Sequence, residues 1–177
     1  MECVKLPLSR EIISKFKVGD ELDITGEILV ARDLAHKRLL EDFEKKQVPV
    51  DLEGAFIYYC GPTSSLLNDD VGSAGPTTSS RMDLFAPKLY DMGVVATIGK
   101  GPRSLQVVES VKRNKALYLI TVGGAGAYLG QFIKNARVLA YGEFGPEALM
   151  SFNVIDFPVW VAIDTRGDSI FSCNNAG

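Results

Sequence analysis

Four hydroxyl side chains in a row follow a Gly-Pro pair and lead into an arginine: Gly75-Pro76-Thr77-Thr78-Ser79-Ser80-Arg81-Met82-Asp83. A turn of this kind at the start of a helix gathers amide donors, hydroxyls and a guanidinium in one small volume, which attracts an oxyanion. The plainer alternative is that Thr77 or Thr78 caps the helix and Arg81 lies in solvent. The density of hydroxyls argues against it. A second cation, Lys100, is flanked by Gly99 and Gly101 just past the apolar run 94–98, where it can point into a site or simply mark a strand exit. A third, Arg32, stands in Ala31-Arg32-Asp33-Leu34-Ala35-His36 at a strand-to-helix junction, with Asp33 placed to complement the helix N-terminus. His36 is the single imidazole, and its pattern assigns it no role. Cations, hydroxyls and amide-rich loops suit the holding of a small carboxylate or phosphate, but they supply no strong electrophile.

Other chemistries are poorly served. No Gly-x-Ser-x-Gly elbow occurs, and His36 is the only histidine available to a serine or cysteine dyad. Cys3, Cys60 and Cys173 are an odd number at wide spacing, which suggests neither a disulfide framework nor a Cys-x-x-Cys clamp; no metal ligands are assigned to this chain. Gly123-Gly124-Ala125-Gly126 resembles a phosphate loop, but Leu129 replaces the third glycine and no Gly-Lys-Ser/Thr follows, so a tight turn is expected there. The formal charge of -3 gives no global attraction to nucleic acid or anionic lipid. The apolar run 159–163 is far below the roughly 20 residues a transmembrane helix needs, and the N-terminus lacks a secretory pattern. The expected compartment is the cytoplasm.

These residues need a scaffold to position them. The 177 residues predict one α/β domain, 1–177, at 46% hydrophobic and 23% charged composition. A short strand at 4–6 precedes a helix capped by Ser9 and running through Phe16. Loose alternation around Gly26 predicts a strand pair or one bent strand, and 33–46 reads as an amphipathic helix. Three strand-loop-helix repetitions follow. Strand 55–59 leads to a helix over 80–90, strand 94–98 to a helix over 104–113, and strand 117–122 to a helix over 127–133. Alternation of this kind predicts a partly parallel sheet whose glycine loops open on one edge. Further strands are expected at 137–141, 152–155 and 159–163, the last two interrupted by Asp156-Phe157-Pro158.

Ala31-Arg32-Asp33-x-Ala35-His36, Tyr58-Tyr59-x-Gly61-Pro62-Thr63, the threonine-arginine motif and Gly99-Lys100-Gly101 occur in the order found in the iron-sulfur hydro-lyase β family. The chain resembles the β subunits of class I fumarate hydratase and L-tartrate dehydratase over nearly its whole length, with Pro146 departing where relatives often carry methionine. The resemblance implies a swivelling β/β/α domain in a hetero-oligomer with an α subunit that carries a 4Fe-4S cluster. A separate chain beginning at Met1 is then expected to be the small subunit, and the substrate a C4 dicarboxylate, fumarate or tartrate. By resemblance Arg32, Arg81 and Thr78 bind substrate, Lys100 and Thr77 are catalytic, and Thr77 exchanges the substrate proton. Asp83 is the competing carboxylate, with a helix-dipole role weighed against it.

Overall fold

Along residues 56–60 successive side chains enter two separate cores: Phe56, Tyr58 and Cys60 join one, Ile57 and Tyr59 the other. The same alternation separates Ile28 and Val30 from Leu29 and Ala31, and Leu117 and Leu119 from Tyr118. A strand whose two faces are both apolar must be covered on both sides. The computed structural model, which describes residues 2–64 and 71–172, shows how.

The chain runs β1 (Glu2–Lys5), α1 (Arg10–Ile13), β2 (Glu21–Val30), α2 (Asp33–Glu44), β3 (Phe56–Tyr58), β4 (Thr63–Ser64), β5 (Val71–Ser73), a 3-10 turn (Ser79–Met82), α3 (Ala86–Asp91) and β6 (Ala96–Gly99). It continues through α4 (Leu105–Arg113), β7 (Leu117–Ile120), α5 (Gly126–Gly130), β8 (Ile133–Ala140), a second 3-10 segment (Gly142–Glu147) and β9 (Leu149–Ile163). Strands β2, β3, β6 and β7 are parallel neighbours in that order. Strand β9 runs antiparallel to both β7 and β2 and closes the five strands into a small barrel. Strand β1 extends β2, and β8 extends β9. Helices α2, α3 and α4 cover the outer face through Ala35, Leu39, Leu89, Val107 and Val111; Ile28, Tyr58, Ile98, Leu119 and Phe152 fill the other. Each large apolar side chain so buried stabilises the fold by about 1.5–3 kcal/mol.

The expected mixed α/β sheet is present, with several local differences. The helix foreseen over 80–90 is a 3-10 turn followed by α3, with Pro87 in the first turn of that helix. Helix α1 stops at Ile13, although Ser9 caps it as expected by accepting from the Ile12 amide. Ile133 begins a strand instead of ending a helix. The two terminal runs are one long strand, β9. Asp156 takes a positive φ of 53°, its amide is held by Thr25 Oγ1 at 2.9 Å, and the register shifts opposite the segment between Ile24 and Gly26. The interruption is therefore a bulge that bends a continuous strand around the barrel.

Because β2, β3, β6 and β7 are parallel, their carboxyl ends share one edge. Arg32, Gly61, Lys100 and Gly123 leave the sheet there, where ligands of such sheets gather.

Candidate functional site

The hydroxyl-rich segment lies across that edge. Cys60 bridges Pro76, the Thr77 amide donates to Tyr59 O at 2.7 Å, and Thr78 bridges Lys100 in parallel fashion. Ser79 then locks the two loops reciprocally. Its amide donates to Lys100 O at 3.0 Å and its hydroxyl accepts from the Lys100 amide at 3.0 Å. Thr78 occupies the N-cap position of the 3-10 turn but its side chain makes no capping bond, so the exposed hydroxyl is left for other partners. Thr77 is half-buried beside it.

Gly126 is required by close approach: a Cβ there would meet Ser73 Oγ at 2.2 Å and the Gly75 amide at 3.0 Å. The loop after β7 thus packs directly under the Gly75-Pro76 turn, and the glycine cluster serves this packing. Lys100 bends over the same loop, its Cδ 3.6 Å from where a Cβ on Gly123 would stand.

Both candidate arginines lie beside carboxylates, and Arg81 is hydrogen-bonded to its own. Arg81 Nη2 donates to Asp33 Oδ2 at 2.5 Å, in a pair about half exposed on the arginine side, so Asp33 reaches beyond its own helix terminus. Arg32 Nε lies 3.4 Å from Glu147 Oε1, and the guanidinium rests where Gly61 has no side chain. Among the described residues Lys100 has no ion-pair partner.

His36 packs beneath Arg32, fully buried, with ring centroids 5.3 Å from Tyr59 and 5.9 Å from Phe85. Its Nδ1 lies 2.6 Å from Arg32 O, which assigns the proton to Nδ1, and Nε2 has no partner among the described residues. Burial pushes its pKa down to about 4, against the opposing pull of that hydrogen bond. The unfolded chain therefore binds the additional proton between pH 6.5 and about 4, and stability falls as pH drops through that window. The expected loss is about 3 kcal/mol, and urea unfolding of His36→Phe should lose correspondingly less stability over the same range.

Asp83 has a different place from the one its sequence position suggests. It ends the 3-10 turn, accepts at Oδ1 from Arg103 Nε at 2.6 Å and at Oδ2 from the Ser104 amide at 2.7 Å. It therefore serves the start of α4 and the buried Arg103, not the N-terminus of its own turn. No motif in the sequence singles out Arg103, yet its side chain is completely buried, and only the proximity of Pro102 and a capping serine marks the position.

Residues 2–174 match the family described as Fumarase C-terminus. The chain is 36% identical over 179 residues to the anaerobic class I fumarate hydratase of Escherichia coli K12, covering 96% of this chain and 33% of that protein. It is 34% identical to fumarate hydratase 2 of Leishmania major, covering 96% and 31%. It is 32% identical to the L(+)-tartrate dehydratase subunit beta of Escherichia coli K12, covering 95% and 85%. The chain belongs to the Fumarase C-terminus family. It spans about a third of the length of the fumarate hydratases it matches.

Neither cysteine among the described residues suits an iron-sulfur cluster. Cys60 is buried and burial raises its thiol to about 12, so it is a poor thiolate ligand, whereas Cys3 is exposed on β1. Cys173 lies outside the described residues. No group of three or more candidate metal ligands occurs among the described residues, and no helix among them is long and apolar enough to cross a membrane.

Proposed function

We propose that this chain is the β subunit of an iron-sulfur hydro-lyase that reversibly hydrates fumarate to malate in the cytoplasm, active only as a hetero-oligomer with an α subunit. The observation that carries the reading is the gathering of Arg32, Arg81, Lys100, Thr77 and Thr78 on one edge of four parallel strands. As the swivelling β/β/α domain of such an enzyme, the chain would present this edge to its partner. The 4Fe-4S cluster, carried by the α subunit, would supply the Lewis acid for the departing hydroxyl.

Removing water from malate requires loss of a proton beside a carboxylate, so charge builds on that carboxylate. Arg32 and Arg81 grip the two carboxylates through charged hydrogen bonds of about 1.5–3 kcal/mol each. Lys100 adds a compact cation, Thr78 a hydroxyl donor, and Thr77 exchanges the proton. No nucleic acid or membrane takes part.

Arg32 yields a sharp expectation, because a Cβ on Gly61 would lie 2.2 Å from Arg32 Nη1. Gly61→Ala displaces the Arg32 side chain from Cδ outward and meets no backbone among its three nearest atoms. The melting temperature should barely change while KM for the dicarboxylate rises about tenfold.

The deciding experiment adds an anaerobically prepared α subunit to this chain and assays fumarate and L-tartrate. Fumarate hydration appearing only in the mixture supports the reading; full activity from the isolated chain overturns the two-subunit scheme. A preference for L-tartrate supports the second reading, an L-tartrate dehydratase β subunit, favoured by the 85% coverage of that relative. Saturable dicarboxylate binding without turnover in any mixture points to a non-catalytic binding module.

A further inference from the structure

We propose that Arg103 is a positioning residue that holds Lys100 and the Thr77–Arg81 segment in one fixed arrangement, an inference that rests on reading this edge as the substrate site. A fully buried guanidinium is costly, and a well-packed apolar side chain of similar volume would often serve a core equally well or better. Its contacts indicate what it does instead. Nε donates to Asp83 Oδ1 at 2.6 Å, Nη1 to Thr97 Oγ1 at 3.3 Å, and the guanidinium carbon lies 4.8 Å from the Tyr118 ring centroid and 5.4 Å from that of Tyr59. Both of these rings belong to the layer beneath the site.

The pair joins two pieces of chain. Asp83 closes the turn that carries Arg81, and Arg103 follows three residues after Lys100. The second Asp83 oxygen takes the Ser104 amide, so the carboxylate grips the Lys100 loop twice. Tyr118 adds a layer of the same kind, its hydroxyl 2.8 Å from Gly101 O and 2.9 Å from Ser79 Oγ. The single phenolic proton goes to Gly101 O, which leaves the oxygen to accept from Ser79. Ser79 in turn accepts from the Lys100 amide. Apart from the exposed Ser104 amide bond, the links from Arg103 to Lys100 are buried or half-buried contacts, and a planar fork is needed at their root.

The test compares wild type, Arg103→Met and Arg103→Lys by amide hydrogen exchange in the purified protein and by kinetics after assembly with the α subunit. In Arg103→Met the amides of Ser79, Lys100 and Ser104 should exchange at least about tenfold faster, while Leu117 and Val161 keep their protection. KM for fumarate should rise at least about tenfold, with partial rescue by lysine. On a Lys100→Met background the same change should cost no more than about threefold further, because the two residues act as one unit. Unchanged exchange at Ser79 and Lys100 in folded Arg103→Met, or fully multiplicative kinetic losses, overturns the proposal. Should Arg103→Met fail to fold, Tyr118→Phe must reproduce the selective loss of protection at Ser79 and Lys100, and its absence is equally decisive. An assembled wild type that turns over neither fumarate nor tartrate defeats the functional reading alone, and the exchange measurement then decides the positioning role by itself.

Discussion

Replacing Arg81 by lysine is expected to lower turnover of a C4 dicarboxylate by more than about tenfold, with little change in melting temperature. The guanidinium commits Nη2 to Asp33 at 2.5 Å, which aims the plane and leaves its other donors for a ligand. A lysine ammonium can also pair with Asp33, but having done so it has no second, parallel donor at a fixed angle. The incoming carboxylate then meets a point charge already neutralised by its neighbour. Stability should be nearly indifferent, since the Arg81 side chain is about half exposed and such a pair contributes little in water. Steady-state kinetics of the assembled enzyme on fumarate and malate, alongside thermal unfolding, measure both quantities. Kinetics close to wild type would remove Arg81 from the site.

The shared edge was legible because two of the three cations follow apolar runs that read as strands: Arg32 after β2 and Lys100 after β6. Strand-to-helix alternation then makes those strands parallel and puts their exits together. The threonine-arginine motif was legible for a different reason, since four consecutive hydroxyls are too polar a run for a core, even though Ser79 is itself buried. What escaped the sequence depends on distant partners. Asp83 and Arg103 are 20 residues apart, and neither carries a local pattern that announces a buried ion pair. Asp33 sits at the start of α2 as a dipole partner should, and nothing near it in the chain predicts the reach to Arg81, 48 residues away. Asp156-Phe157-Pro158 reads as a break because aspartate and proline usually interrupt strands. Only the bulge opposite Gly26 reveals that the strand continues. Local periodicity therefore located the cations, and long-range pairing determined how they are held.

That distinction bears on which residue moves the substrate proton. Thr77→Val is expected to slow exchange of the malate methylene proton with deuterated solvent by about a hundredfold or more, in a protein that melts close to wild type. Valine has the shape of threonine without its hydroxyl, and the backbone hydrogen bond from residue 77 to Tyr59 O does not depend on the side chain. Asp83→Asn should act chiefly on the fold. Both Asp83 oxygens are already engaged, one by the buried Arg103 and one by the Ser104 amide, so taking up a substrate proton would weaken both bonds. Neutralising it leaves a guanidinium with a fully buried side chain and without its counter-charge, at a cost of about 3–5 kcal/mol. For a chain of this length that corresponds to a fall in melting temperature of about 6–20 °C. Exchange per folded molecule should decline less than in Thr77→Val. The two variants thus separate along two axes, proton exchange by nuclear magnetic resonance and thermal unfolding. Exchange that survives in Thr77→Val but vanishes in Asp83→Asn would transfer the proton-moving role to Asp83, and would require the Arg103 pair to open during turnover.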